Sequence, residues 1–332
     1  MVRIVPVTTL DPAQAELALA WHDVFVVSTV ASMGDDHDTW SWASRRAREE
    51  STTMDRRYVA AVDDAGRVVG AAEVTMPLRD NLTLAMTDLA VLPTERRRGT
   101  GTALLERVVR TARDAGRTSL VTESSSPDAG TDPGEAFLLR HGFEVAQANL
   151  RNDLGVTAHA HARGSAPDPA GYVIETSTDD TRDEWLEDRA HLQSRMSTDA
   201  PVGDLAFEEE HWDAERLRDH RETTRRSGRR AIESVARHVA TGRLVGFTQL
   251  QVPVEAPEMA YQQDTLVLRE HRGHGLGLAL KAAALAALVG ELPEVRTVRT
   301  WNATTNGPMI AVNEALGYRT TAFLREWQRR LA

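Results

Sequence analysis

Short alternating runs of apolar and polar residues give way to helical spacing, and the whole succession is met twice along the chain. β-Branched and apolar runs predict strands at 3–7, 58–62, 68–75 and 82–91, and again at 172–175, 231–238, 244–252 and 260–267. Two helical stretches follow the first strand of each set. Beyond residue 91, Leu104, Leu105, Val108, Val109 and Ala112 form one apolar stripe of an amphipathic helix. The later counterpart, "LALKAAALAALVG" from Leu278, is apolar nearly all round and is expected to be more deeply buried. A strand (119–122; 296–301), a helix and two final strands complete each set. The pattern is mixed α/β, twice over.

The two sets are in register. Val69-Gly70 matches Val245-Gly246, Pro77 matches Pro253, Asp88 matches Asp264, Val91 matches Val267 and Leu104 matches Leu280, all at an offset of 176. Gly142 in "RHGF" and Gly317 in "ALGY" differ by 175. An offset held without a gap from Val69 to Leu104 marks a tandem duplication. It predicts an N-terminal domain over 1–155, a linker over 156–171 and a C-terminal domain over 172–332. The stretch "GVTAHAHARGSAPDPAG", from Gly155, is rich in Ala, Gly and Pro and lacks apolar periodicity, as a linker does. Its His159 and His161 have no carboxylate or cysteine company and read as solvated rather than metal-binding.

Composition narrows the classes. The chain has 332 residues, 41% apolar and 27% charged, as in soluble globular proteins. It has no cysteine, which excludes disulfides, thiolate metal sites and cysteine nucleophiles. A net charge of −10 argues against general nucleic-acid binding, which needs a basic footprint. No apolar run approaches the ~18 residues of a membrane span, and "MVRIVPVTTLD" lacks the apolar core of a signal peptide. A cytoplasmic protein, monomer or homodimer, without membrane or nucleic-acid partners, is expected.

The most informative chemistry lies in "TERRRGTGTALL", from Thr94, and "EHRGHGLGLALK", from Glu270. Each is an R-x-x-G-x-G turn between a strand and a strong helix. A helix start presents unpaired N–H groups and the positive end of the dipole, and glycines let a ligand approach the backbone. That suits a pyrophosphate. The lysine and Ser/Thr of a Walker A loop are missing, and the dinucleotide G-x-G-x-x-G pattern fits poorly.

"DLAVLPTERRRGTGTALLERV" and "DTLVLREHRGHGLGLALKAAAL" both resemble the acetyl-CoA signature of the GNAT N-acetyltransferase superfamily, V-x(4)-[RQ]-x-x-G-x-[GA]. "LLRHGF" and "MIAVNEALGY" resemble its closing helix and following strand. The resemblance covers nearly the whole chain as two tandem GNAT folds. It implies acetyl-CoA as acyl donor and a small amine as acceptor. It also implies that backbone groups of Leu89, Ala90 and Val91, and of Leu266 and Val267, pair with the pantetheine arm. The pyrophosphate then falls to Arg96, Arg97, Arg98, Gly99, Thr100, Gly101 and Thr102, and to Arg272, Gly273, His274, Gly275, Leu276, Gly277 and Leu278. Asn302 and Asn306 are candidates for the pantetheine amides.

The superfamily usually protonates the departing thiolate with a tyrosine on the closing helix, four residues before the glycine. Here Leu138 and Asn313 stand at those positions. The candidate catalytic residues are therefore Asn313 as an orienting amide, Tyr261 as acid or base, and Asp264, which Asp88 repeats in the first copy. The first copy offers Glu73 and Glu123. The acidic stretch Asp35, Asp36, His37, Asp38 reads as a solvated helix lead-in, and Asp199, Asp204 and Glu208–Glu210 stand in the matching region of the second copy. Acidic walls of this kind favour a cationic amine. The C-terminal domain, with more polar equipment, is expected to carry the chemistry. Alternatives are a non-catalytic acyl-CoA-binding or regulatory module, and a mycothiol-synthase-like acyltransferase.

Overall fold

A computed structural model describes residues 2–34, 38–130, 132–156, 168–199 and 203–331. Its contacts divide the chain into two compact units. Unit 1 comprises Met1–Ala148, Gly203–Glu208 and Ala322–Ala332, and unit 2 comprises Asn149–Val202 and Glu209–Thr321.

Unit 1 contains β1 (Arg3–Val7), α1 (Ala15–Met33), α2 (Trp42–Glu49), β2 (Met54–Val62), β3 (Val68–Pro77), β4 (Leu84–Val91), α3 (Thr100–Asp114), β5 (Ser119–Ser126) and α4 (Glu135–Arg140). The strand β6 (Glu144–Gly155) begins in unit 1 and runs on into unit 2. There follow β7 (Tyr172–Ser177), α5 (Leu186–Asp199), α6 (Ala214–Arg226), β8 (Arg229–His238), β9 (Leu244–Pro253) and β10 (Met259–Val267). The chain ends with α7 (Leu276–Glu291), β11 (Thr297–Ala303), α8 (Gly307–Leu316) and β12 (Arg319–Arg330), most of which belongs to unit 1.

The predicted stripe of α3 is the buried one: Leu104, Leu105, Val108, Val109 and Ala112 pack with Val69, Val74 and Leu120 of the sheet. The repeated Val-Gly pair has a steric cause. A Cβ on Gly70 would lie 2.9 Å from Leu104 Cδ1, and one on Gly246 would lie 2.9 Å from the Leu266 carbonyl oxygen. At Gly70 the core helix presses on the strand, and at Gly246 the backbone of the neighbouring strand does, so a side chain has no room at either.

The strand order in unit 1 is β1-β2-β3-β4-β5-β12, and in unit 2 it is β6-β11-β10-β9-β8-β7. Each sheet is thus closed by a strand from the other sequence repeat. Phe323–Arg330 of β12 pairs antiparallel with β5, and Asn149–Gly155 of β6 pairs antiparallel with β11. Packing accounts for the exchange: Trp327 is wholly buried in the unit 1 core, and Leu154 lies in the unit 2 core. The compact units therefore differ from the sequence repeats at their closing strands. Each repeat also ends in one strand of 12 residues rather than two, because the run after each closing helix continues without a turn. Residues 157–167, most of the expected linker with His159 and His161, lie outside the described residues, as do Asp35, Asp36 and His37.

Candidate functional site

In each unit the central parallel pair parts midway. In unit 1, β4 and β5 pair from Leu84/Ser119 to Thr87/Thr122 and no further, so Asp88–Val91 bond to β3 alone. In unit 2, β10 and β11 pair only from Met259/Thr297 to Tyr261/Arg299. The backbone of Leu89, Ala90 and Val91, and of Leu266 and Val267, thus borders an opening in its sheet, as expected for strands that receive an extended ligand arm.

At the end of each parted strand comes the glycine turn. Arg97 and Gly99 take φ 64° and 86°, and Gly273 and Gly275 take φ 83° and 75°. Alternation of left-handed and right-handed residues turns successive N–H groups to one side. Gly99 and Gly275 are the N-caps of α3 and α7, so no N-cap side chain covers the first-turn N–H groups of Thr100, Gly101 and Thr102 or of Leu276, Gly277 and Leu278. The arginines of the motif act on the turn itself. Arg96 Nε donates to the Val91 carbonyl (3.1 Å) and Arg272 Nε to that of Val267 (3.0 Å), closing strand onto turn identically in both units. Arg98 pairs with Glu95 at 2.6 Å, and Arg272 Nη2 reaches Asp199 at 2.9 Å. Asp199, its side chain fully buried, is also met by Arg195 and Arg269. His274 Nδ1 faces the carbonyls of His271 and Arg272. A Cβ on Gly101 would lie 3.3 Å from the Phe137 ring, whereas at Gly277 it would meet only Val312, at 3.8 Å.

Deeper in unit 1 the sheet face is locked. Arg45, 1% exposed, donates to Glu73 Oε2 (3.0 Å) and lies over the rings of Phe25 and Trp21. Arg48 and Arg56 approach the same carboxylate, and Thr75 Oγ1 donates to it at 2.9 Å. Glu73 is a buried structural anion. Asp88 meets Arg45 at 3.5 Å and opens to solvent. Glu123 stands directly across from Glu326 of β12. Glu123 is open to the crevice yet densely surrounded; desolvation, then Glu326 and Asp88, push its carboxyl above the ordinary range. Leu138 packs into the apolar core.

Unit 2 is arranged otherwise. Its β10 carries a bulge: Gln262 opposes Leu250 but Thr265 opposes Thr248, so Gln263 and Asp264 share one partner position. Gln262, 4% exposed, turns inward and donates Nε2 to the Gln249 carbonyl (2.7 Å) opposite the bulge. Bulges re-aim side chains beside active sites. Here Asp264 is turned out to accept from Gln193 Nε2 of α5 at 2.9 Å. Its charge also acts on His220 of α6, whose pKa is lowered, chiefly by crowding, and partly restored by Asp264. The imidazole stands edge-on to Trp212, ring centroids 5.7 Å apart. His220 was not visible in the sequence as a site residue, because it lies in the highly charged helix "AERLRDHRETTRR" with no motif around it. The buried carboxylate has moved to β8, where Glu233 receives Arg189 Nε at 2.5 Å.

Of the remaining candidates, Asn313 and Asn302 come together: Asn313 Nδ2 donates to Asn302 Oδ1 at 2.6 Å. Asn313 is 2% exposed and receives Lys281 Nζ at 2.6 Å on its other end. Tyr261 lies where β10 and β11 part, stacked on Trp301 with ring centroids 6.0 Å apart and the Arg229 guanidinium over its ring. Asn306 caps α8, its Oδ1 accepting from Met309 N. Among the described residues no group of three acidic, histidine or cysteine side chains could hold a metal, and no helix is long and apolar enough to cross a membrane.

The acetyltransferase (GNAT) family model matches residues 21–143 and again 189–318. The chain belongs to that family, as two tandem GNAT folds. Proteins of this fold are generally acyltransferases that bind acyl-CoA. Among solved structures it is similar to a tandem GNAT protein from the clavulanic acid biosynthesis pathway, with TM-score 0.82, 30% identity, and coverage of 100% of this chain and 99% of that one. A GCN5-related N-acetyltransferase from Sphaerobacter thermophilus shares the fold at TM-score 0.67 and 16% identity, covering 99% of this chain and 96% of its own. So does a glucosamine N-acetyltransferase region of a fungal multi-domain β-N-acetylglucosaminidase, at TM-score 0.68 and 15% identity, covering 99% of this chain and 38% of that one. No protein of curated function matches.

Proposed function

We propose that the protein is an N-acetyltransferase that moves the acetyl group of acetyl-CoA to a small amine, with unit 2 as the catalytic copy. The observation that carries this reading is the bulge of β10 at the point where the strands part, which unit 1 lacks in the matching register. It turns Asp264 out toward Gln193 of α5, and the charge of Asp264 bears on His220 of α6.

The residues fit a coenzyme A donor. The N–H groups at Gly273–Gly277 receive the pyrophosphate, the β10 edge at Leu266 and Val267 receives the pantetheine amides, and Asn302 lies beside that path. Bound there, the donor supplies an activated acyl group. A backbone N–H of β10 stabilises negative charge on its carbonyl oxygen. His220, assisted by Asp264, takes the proton that the acceptor ammonium must lose before attack. Asn313 directs an amide N–H toward the departing sulfur. The Tyr261–Trp301 stack forms an aromatic wall at the base of the opening.

Coenzyme A release by the full-length protein over a panel of small primary and secondary amines tests this. Acceptor-dependent release supports it; tight binding of acetyl-CoA without turnover on any amine favours an acyl-CoA-binding module. The buried Leu138 and the locked Glu73 favour that second role for unit 1.

A further inference from the structure

The chain contains a single lysine among its 39 basic residues, and it is buried. Lys281 lies on α7, the helix that starts at the glycine turn, and is 1% exposed. Its Nζ donates to Asn313 Oδ1 (2.6 Å) and stands 5.4 Å from the Tyr318 ring. Asn313 passes the chain on to Asn302 of β11 at 2.6 Å. Three elements are thus linked by a polar line running from the core to a cavity of about 280 Å³ that Asn313, Tyr318, Ile310 and Asn152 help to line.

The fold does not need this line. At the matching positions of unit 1 stand Leu105 and Leu138, both packed in the apolar core. A buried charge costs several kcal/mol after relaxation, and apolar replacements commonly stabilise. Unit 2 therefore carries a burden that unit 1 does not, on the helix that begins at the glycine turn.

The chemistry of the two groups suggests why. An ammonium has three donors and no lone pair, so only the oxygen of the Asn313 amide can face it. That fixes Nδ2 outward, with one hydrogen on Asn302 and a second for the acyl site. A neutral amine can also accept, and the amide would then lose its fixed sense. We propose, resting on the acyltransfer reading above, that Lys281 is a positioning residue: its ammonium holds the Asn313 amide with its N–H toward the coenzyme A sulfur and stabilises that sulfur as thiolate. In the transfer the amine nitrogen pair forms the N–C bond and the C–S bond breaks with its pair on sulfur. The ammonium proton has by then passed through His220 to solvent, the second N–H proton, lost as the amide forms, leaves to the vacated His220, and the sulfur keeps its negative charge until it takes a proton from solvent.

Burial alone lowers the Lys281 pKa, to about 7. Tyr318 faces it as a neutral phenol, its own pKa raised by burial and then by Asp153. Arg299 of β11 is tied to Asp153 at 2.9 Å, and Glu314 of α8 lies on the exposed side. No charged group on β7, β8, β9 or β10, which pack on α7, adds to the shift. A thiolate arriving nearby favours the charged form.

The test uses the full chain, coenzyme A as probe and no acceptor. Affinity for acetyl-CoA is measured by calorimetry and the thiol pKa of bound coenzyme A by thiolate absorbance, in wild type, Lys281→Met and the double variant Lys281→Leu/Asn313→Leu. The double variant recreates the Leu105–Leu138 pair of unit 1 and keeps the test alive should the single variant not fold. Acetyl-CoA affinity is expected to stay within about twofold, while the bound thiol titrates about one pH unit higher, a tenfold loss of thiolate, in either variant. Selective ¹⁵N-lysine labelling gives one side-chain signal, which should move to higher pKa when coenzyme A binds. An unchanged thiol pKa in a folded variant that binds acetyl-CoA overturns the role of Lys281 and leaves the acyltransfer reading intact. A wild-type protein that does not bind acetyl-CoA overturns both.

Discussion

Unit 1 and unit 2 share turn geometry almost atom for atom, down to the arginine that bonds the last carbonyl of its strand, yet they differ beneath it. Unit 1 has a straight β4, a closing-helix leucine and a carboxylate clamped by arginines. Unit 2 has a bulged β10, an asparagine in the leucine's place and a buried lysine behind it. The same glycine turn therefore stands over two different sets of buried polar side chains, and only the set in unit 2 fits the chemistry proposed above. The motif alone does not distinguish a catalytic copy from a binding one.

The sharpest way to break the comparison is to make unit 2 resemble unit 1. Asn313→Leu is expected to cut kcat by about 10²-fold, as loss of one hydrogen-bond donor to developing charge does, with acetyl-CoA affinity nearly unchanged. Steady-state kinetics with the best acceptor reads it, and a near-normal rate would erase the proposed difference between the copies. Next in size is a change confined to unit 1. Glu73→Gln removes the charge that Arg45, Arg48 and Arg56 surround and should cost about 3 kcal/mol of stability, with turnover per folded molecule unchanged. Denaturant unfolding separates the two effects, and a loss of specific activity would move the chemistry to unit 1.

A smaller effect concerns pH. His220 must be neutral to accept a proton, and its pKa is depressed, so kcat/KM should fall only as pH drops below the ordinary 6.5 of histidine. Asp264 raises that pKa, so Asp264→Asn should move the acidic limb to still lower pH. A shift toward higher pH would contradict the assignment. Smallest is Tyr261→Phe. The ring keeps its stack on Trp301, and the expected loss in kcat is below about threefold, well short of an acid–base contribution. A loss of a hundredfold would give that hydroxyl the proton-transfer role.

Much of this architecture was legible in residue order. The strands at 3–7 and 68–75 and the stripe of α3 follow from periodicity, because a half-buried element must repeat with its own pitch. The two turns were legible because left-handed backbone favours glycine. Other features left weaker traces. The bulge at Gln263–Asp264 adds one residue to one strand and changes no composition. Which edge β6 and β12 would join depends on partners far away in sequence, whereas pleat and polarity are local. Asn306, read as a ligand contact, also caps the start of α8 with its side chain, a role its place before Gly307-Pro308 signals. His220 carries no neighbourhood signal. Lys281 did carry one: a solitary charge in an otherwise apolar helix, within a motif already singled out, in a chain that elsewhere uses only arginine.

The exchanged closing strands bear on how the protein is made. During synthesis the first repeat leaves the ribosome with its glycine turn, its core helix and strands β1 to β6 in hand, but β5 lacks its antiparallel neighbour. That neighbour, β12, is translated after every other element described, and it brings Trp327 to the unit 1 core. The N-terminal unit, first to be synthesised, is thus the later one able to finish. Cutting the gene between the repeats would leave each fragment with an unpaired sheet edge, a ready template for wrong partners.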